Sequence, residues 1–173
     1  MSVFKGKSYL SYLLNHSPLI ILFFSVLNEF DFNYLEIKYF SFNFPFILIF
    51  YLSVKRNESI GYGFIFFAGL INDVVVGLPI GISSFGYLLI CGFAAYLRNI
   101  TLRPSVFKDW LFFLFTILVV NSITYSILIL FFNLDVNYYS LMINLIFTFL
   151  LYFILSYLFQ FFEYILRGGS TND

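Results

Sequence analysis

Apolar residues fill most of the chain in six windows, which are separated by charged or turn-forming residues. A hydrocarbon core about 30 Å thick needs about 20 apolar residues at a helical rise of 1.5 Å per residue, so most of these windows are long enough to cross a bilayer. The pattern predicts an all-α integral membrane protein, a six-helix transmembrane bundle that forms one polytopic domain over residues 1–173. The predicted spans are about 9–28, 40–54, 60–78, 81–97, 110–132 and 138–166.

Composition excludes a soluble globular domain. Hydrophobic residues make up 61% of the 173 residues and charged residues only 10%, with a mean hydropathy of +0.94. Soluble domains carry about a quarter charged residues. Lys5 and Lys7 precede the first window without a small-residue cleavage site, so we expect a retained first helix in place of a signal peptide.

Lysine and arginine are unevenly distributed between the two sets of loops that six spans would create. Of the 9 basic residues, Lys38 alone falls on one side. Positive residues concentrate on the cytoplasmic side of membrane proteins, so both the N- and C-termini are predicted to be cytoplasmic. The residues assigned to that side are Lys5, Lys7, Lys55, Arg56, Arg98, Arg103, Lys108 and Arg167.

The third window carries one carboxylate, Asp73, between Gly69 and Gly77 in the run FFAGLINDVVVGLPIG. Positions i, i+4 and i+8 share a helical face, so the glycines are predicted to let another helix approach closely, within the protein or from a partner. An aspartate near the bilayer centre costs about 2.5 to 3.5 kcal/mol on insertion, and we therefore expect Asp73 to have a partner. Pro79 is predicted to stop this helix, with Gly77 and Gly81 supplying the freedom for a turn into the fourth span.

Glycine is concentrated in spans three and four and in the turn between them, whereas the remaining glycines lie near the termini. Small residues allow helix backbones to approach, so these two spans are predicted to form the tight helical pair. The glycines of this region are Gly61, Gly63, Gly69, Gly77, Gly81, Gly86 and Gly92.

Two asparagines, Asn121 and Asn144, are predicted to lie at a depth similar to that of Asp73. If spans three, five and six adjoin, Asn72 or Asp73 is expected to hydrogen-bond to Asn121 or Asn144. Three interpretations are open: a buried polar clamp between helices, an ion or proton path, and a contact with a partner's membrane helix. If Asp73 only accepts hydrogen bonds from neighbouring amides, Asp73→Asn is expected to be nearly silent. If it titrates or holds a cation, Asp73→Asn is expected to be as defective as Asp73→Ala.

Catalytic chemistry is not predicted. His16 is the only histidine, and it is expected about 10 Å in depth from Asp73, too far for a proton relay or a catalytic triad. The sequence has no His-Glu-x-x-His motif, no paired membrane aspartates and no glycine-rich phosphate loop. We therefore expect no enzyme activity, no catalytic residues, no cofactor and no metal site.

The residues around Asp73 resemble those of the rod shape-determining protein MreD family of bacteria. That family's third helix carries the pattern Phe-x-x-Gly-Leu-x-x-Asp, followed by a turn of small residues. Chain length, six spans and cytoplasmic termini agree as well. Pro45 matches the proline that opens the family's second span, but Phe44 stands where the family usually has an arginine. The match runs through Gly63, Phe66, Gly69, Leu70, Asp73, Gly77, Pro79 and Gly81.

The resemblance implies a non-enzymatic scaffold subunit of the cell-wall elongation machinery in the bacterial inner (cytoplasmic) membrane, which helps to maintain rod cell shape. It also implies association with MreC and, directly or indirectly, with MreB, RodA and a penicillin-binding transpeptidase. Together with the polar and glycine patterns, it nominates residues for structural or partner contacts: Gly69, Asp73, Gly77, Pro79, Gly81, Asn121 and Asn144.

An alternative function belongs to a different class. The MreD family also resembles the six-helix substrate-binding membrane subunits of energy-coupling-factor vitamin transporters. Those subunits commonly dock through an alanine-spaced motif in the first helix, and the first span here contains no alanine. Transport therefore ranks second, and an intramembrane enzyme using Asp73 ranks last because the sequence offers it no second acid or metal ligand.

Overall fold

The computed structural model describes residues 20–27, 42–55, 61–101, 105–133 and 137–168, and for residues 162–168 only the backbone. All regular elements in these residues are α-helices and none is a strand, which confirms the all-α prediction. His16, the part of the first predicted span before residue 20, and the basic residues Lys5, Lys7, Lys38, Arg56 and Arg103 lie outside the described residues. The helices are α1 (residues 20–27), α2 (Phe44–Lys55), α3 (Tyr62–Val76), α4 (Ile82–Ile100), α5 (Val106–Phe132) and α6 (Tyr138–Gly168).

Helix α4 continues beyond the end of its predicted window, and α5 begins before the start of its window; in both cases the added residues include charged side chains. Arg98 stays within α4 because its Nη1 donates a hydrogen bond of 2.8 Å to the carbonyl oxygen of Ser53 in α2. Asp109 lies in the first turn of α5, where it is buried and its Oδ2 is 3.9 Å from the Nζ of Lys55. A window based on hydropathy stops at such residues, whereas a helix continues when the charge finds a partner.

Two of the described helices are long and apolar enough to cross a membrane: α5, and α6 over Tyr138–Phe161. The apolar helices α2 and α3 are shorter, with 12 and 15 residues. By length and composition, the described residues therefore support membrane association through two helices, fewer than the six spans predicted from the sequence.

Helix α4 occupies the middle of the bundle and packs against α2, α3 and α5, while α6 packs against α5 and α2. The buried positions of α4 recur three or four residues apart, as expected for a helix with one inward face. Four of these positions are Ser83, Tyr87, Ile90 and Ala94. Helix α2 is buried on nearly every side, from Pro45 to Ser53, and this enclosure is typical of a helix that is apolar all round.

An aromatic cluster joins α2, α5 and α6 in the core. The rings of Phe113 and Tyr152 stack with centroids 4.3 Å apart, and Phe50 lies 5.0 Å from Phe113 and 5.6 Å from Tyr152. Nearer the start of α5, Trp110 stacks on Phe149 at 4.4 Å, and its indole N–H donates a bond of 3.0 Å to the Phe149 carbonyl. These contacts hold α5 and α6 together and pack both of them against the buried helix α2.

Candidate functional site

The turn between α3 and α4 is built on two glycines with positive φ. Gly77 ends α3 with φ 75° and Gly81 precedes α4 with φ 102°, a conformation that residues with a Cβ rarely adopt. The amides of Gly77 and Leu78 both donate to the Asp73 carbonyl, which closes the last turn of α3. The chain can therefore reverse within five residues, and Pro79 lies inside this turn without ending the helix itself.

The carboxylate of Asp73 caps the start of α4. It is fully buried; its Oδ2 accepts the Gly81 N–H at 2.7 Å and its Oδ1 accepts the Ser83 N–H at 2.8 Å. The first amides of a helix have no partner within the helix and carry the positive end of its dipole, so they favour an anionic acceptor. Here the acceptor comes from the preceding helix, and both of its oxygens are used.

Gly69 marks the point where α3 and α4 cross. A Cβ built on Gly69 would lie 2.3 Å from the Ser84 Cα and 2.5 Å from its backbone nitrogen. The Ser84 hydroxyl donates a bond of 2.9 Å to the carbonyl oxygen of Phe66, and Asn72 donates through Nδ2 to the Ser83 hydroxyl at 2.9 Å. The two helices are thus in backbone contact and are joined by polar groups on both sides of it.

These contacts change the roles predicted for two residues. Gly77 does not line a groove, because a Cβ there would meet no atom within 4 Å; its importance is the positive φ. Asp73 bonds to backbone amides of α4 where side-chain amides of Asn121 or Asn144 were expected, because the principal neighbour of α3 is α4 and not α5 or α6. The close approach predicted at Gly69 is present, and it is made within the protein.

Asn72, Asn121 and Asn144 nevertheless share a common space. They line a partly open cavity of about 410 Å³ at the end of the bundle that carries the α3–α4 turn. Its wall also includes Asn43, Ser25 and Ser83, so that each of the six helices or its immediate flank contributes an amide or hydroxyl group. No Asp, Glu, Lys, Arg or His is among the described residues that line it.

Two hydroxyl groups in this cavity wall are buried without a hydrogen-bond partner among the described residues. They belong to Tyr87 of α4 and Thr124 of α5. Tyr87 is only 1% exposed, and its ring packs edge-on against Phe46 at 5.8 Å. Burying a hydroxyl without a partner costs free energy, so each of these two groups requires a hydrogen-bond partner that the described residues do not supply.

Sequence reasoning missed Ser83, Ser84 and Tyr87. The two serines follow Gly81 at the start of a helix, where hydroxyl side chains are common, and this signal could have located the partner of Asp73. Tyr87 gives no comparable signal, since tyrosine is frequent throughout the chain. The described residues contain no group of three His, Cys, Asp or Glu side chains placed to bind a metal ion.

Comparison of the chain with protein-family models, with curated proteins and with solved structures finds no match.

We expect Asp73→Asn to destabilise the protein, in contrast to the nearly silent effect expected from the sequence. Asparagine offers one acceptor oxygen where two are needed, and its NH₂ group would face a backbone N–H. Leaving one buried donor unpaired costs about 1 to 3 kcal/mol, and Asp73→Ala, which leaves both unpaired, should cost more. Reversible unfolding in mixed micelles measures this, with Asn72→Ala as the neighbouring control that loses one neutral bond. Wild-type stability in Asp73→Asn would contradict the capping role.

Gly69→Ala should lower the free energy of unfolding by about 1 to 3 kcal/mol, because its Cβ would overlap the backbone of Ser84. Gly63→Ala, on the same helix, is the matched control. A Cβ at Gly63 meets nothing within 4 Å, and alanine favours the helix by up to about 1 kcal/mol. Thermal unfolding of both variants in the same detergent tests the pair, and equal midpoints would show that the crossing is not tight.

Proposed function

We propose that the chain is a multi-pass protein of the bacterial cytoplasmic membrane in which all six helices lie in the bilayer and both termini face the cytoplasm. Its surface and interior support this. Large apolar side chains are exposed on every helix except α2 within the described residues, whereas Asp73, Ser84 and Thr116 are fully buried. An apolar exterior around polar internal contacts suits a lipid environment.

The short helices are compatible with a membrane location. Helix α2, with 12 residues, extends about 18 Å, less than the hydrocarbon thickness. Because helix α2 is enclosed by other helices, the N–H and C=O groups of the irregular backbone at its start can form hydrogen bonds with protein groups. The Asn43 N–H, for example, donates to the Thr148 hydroxyl of α6 at 2.9 Å.

Charge placement sets the proposed orientation. Lys55 and Asp109 form an ion pair at the end of the bundle opposite the α3–α4 turn, and Arg98 binds the Ser53 carbonyl there. The positive-inside tendency assigns that end to the cytoplasm. The α3–α4 turn and the cavity beside it then face the outer side.

Fusions with topology reporters test this arrangement. Green fluorescent protein joined after Asp173 should fluoresce, and alkaline phosphatase joined there should be inactive. Alkaline phosphatase inserted between α1 and α2, at residues 28–41, should be active. An active phosphatase fusion at Asp173, in a protein that is made in normal amount, would overturn the proposed orientation.

We further propose that the protein is a non-enzymatic scaffold subunit of the cell-wall elongation machinery. One observation carries this proposal: three residues of the MreD-like motif, Phe66, Gly69 and Asp73, make contacts between α3 and the start of α4. The Phe66 carbonyl accepts from Ser84, Gly69 touches the α4 backbone, and both oxygens of Asp73 are occupied by amides. Because these groups are engaged in contacts between α3 and α4, we assign the motif a structural role, with no carboxylate oxygen left for chemistry.

The proposed partners follow from the resemblance to the MreD family: MreC, and directly or through it MreB, RodA and a penicillin-binding transpeptidase. The geometry is compatible with such contacts because α3 packs principally on α4 and exposes large apolar side chains on its other side. Tyr62, Phe67 and Val74 are among them. Lipid or the membrane helix of a partner can cover such a face.

Affinity purification from membranes in a mild detergent tests the scaffold role. We expect MreC to co-purify, and depletion of the protein to convert rods to rounded cells. Gly69→Leu should disturb both, and Gly63→Leu, at an open position of the same helix, serves as the matched control. Co-purification of an ATPase module in place of MreC would support the vitamin-transporter alternative and contradict the scaffold.

A further inference from the structure

The cavity beside the α3–α4 hairpin is built like a binding site. Its volume of about 410 Å³ falls within the range of about 300 to 1,000 Å³ that is usual for small-molecule sites. The buried hydroxyls of Tyr87 and Thr124 lack partners among the described residues. Buried polar groups are normally paired, and an ordered water or a bound ligand can supply the partner that these two lack among the described residues.

Neighbouring positions on α5 extend this polar wall along one side of the helix. Thr124 and Tyr125 follow Asn121 by three and four residues, and all three line the cavity, as expected for one helical face. Opposite them on α4 is Gly86, where a Cβ would lie 3.6 Å from the Thr124 hydroxyl oxygen and 3.6 Å from the Val120 Cγ1. A side chain larger than alanine at position 86 would therefore crowd this part of the cavity wall.

The chemistry of the wall selects an uncharged occupant. The described lining consists of amides, hydroxyls and aromatic or aliphatic side chains, without an ionisable acid or base. Amides and hydroxyls both donate and accept hydrogen bonds, so they match a ligand rich in hydroxyl groups. A charged ligand would lose its hydration without meeting a counter-charge, which is unfavourable.

We propose that this cavity binds a small uncharged polyhydroxylated ligand, a neutral sugar, through Tyr87, Thr124 and Asn121. The sugar can be free or can be the headgroup of a lipid, since the cavity is partly open. This inference does not depend on the scaffold role. In the proposed topology the ligand enters from the outer side of the membrane.

The test uses the full-length protein in a detergent without a sugar headgroup, with thermal unfolding as the measurement. Glucose is the neutral probe, and glucosamine and glucuronate are its cationic and anionic analogues. Saturating glucose should raise the unfolding midpoint by about 2 to 4 °C, and the charged analogues should not. A second arm uses nanodiscs with or without monoglucosyl diacylglycerol, which separates a lipid headgroup from a free sugar.

Two variants separate binding from folding. Thr124→Val and Tyr87→Phe each remove one unpaired hydroxyl at nearly constant shape, so the protein without sugar should be as stable as wild type or slightly more stable. Each should weaken sugar binding by about five- to tenfold. If the two hydroxyls had only a structural role, their removal would not weaken sugar binding while leaving the stability of the sugar-free protein unchanged.

Filling the cavity provides an independent check. Gly86→Val adds atoms beside Thr124, and Gly92→Val is the control on the same helix, where a Cβ meets nothing within 4 Å. Gly86→Val should abolish the sugar-dependent shift and Gly92→Val should retain it. The proposal is overturned if no neutral sugar, free or on lipid, shifts unfolding, as expected for a cavity that holds water only. It is equally overturned if charged analogues act as well as glucose, or if all variants respond like wild type.

Discussion

The hydrogen bonds from two backbone amides at the start of α4 to the Asp73 carboxylate are the contact on which the arrangement of the helices depends. They pair a buried anion with the amides of Gly81 and Ser83 at the start of α4. Neither group is tolerated alone in an apolar interior, because both an unpaired carboxylate and unpaired amides are costly to bury. The pairing therefore sets the register of α3 on α4, and α4 in turn contacts α2 and α5.

Close packing between helices adds to the hydrogen bonds of Asp73. In the proposed membrane location, apolar surface gains little from association, so close fit and internal hydrogen bonds hold the helices together. The backbone contact at Gly69 provides the close fit between α3 and α4, and the Phe50–Phe113–Tyr152 cluster provides it among α2, α5 and α6. Single polar contacts such as Arg98 to the Ser53 carbonyl then define the relative height of neighbouring helices.

The positions of the helices could be read from the sequence because apolar windows and turn residues mark them directly. The tight pairing of α3 and α4 was also predictable, since glycine is concentrated there. The partner of Asp73 was not, because a count of depth along each helix ignores which helices are neighbours. Nor was the cavity, whose wall combines residues from Ser25 to Asn144 that share no spacing pattern. Hydropathy also misplaced the ends of α4 and α5, where Arg98 and Asp109 have partners within the bundle.

The α3–α4 hairpin and the cavity share residues. Ser83 gives its backbone N–H to Asp73 and accepts a bond from Asn72 through its hydroxyl, and both Ser83 and Asn72 line the cavity. Tyr87 lies one helical turn beyond Ser83 on the same face of α4. A displacement of α3 relative to α4 would therefore move two walls of the cavity at once. If α3 can take two positions relative to α4, a ligand favours one of them only when its contacts differ between the two. Ser83 and Asn72, which belong to both the hairpin and the cavity wall, would provide that difference.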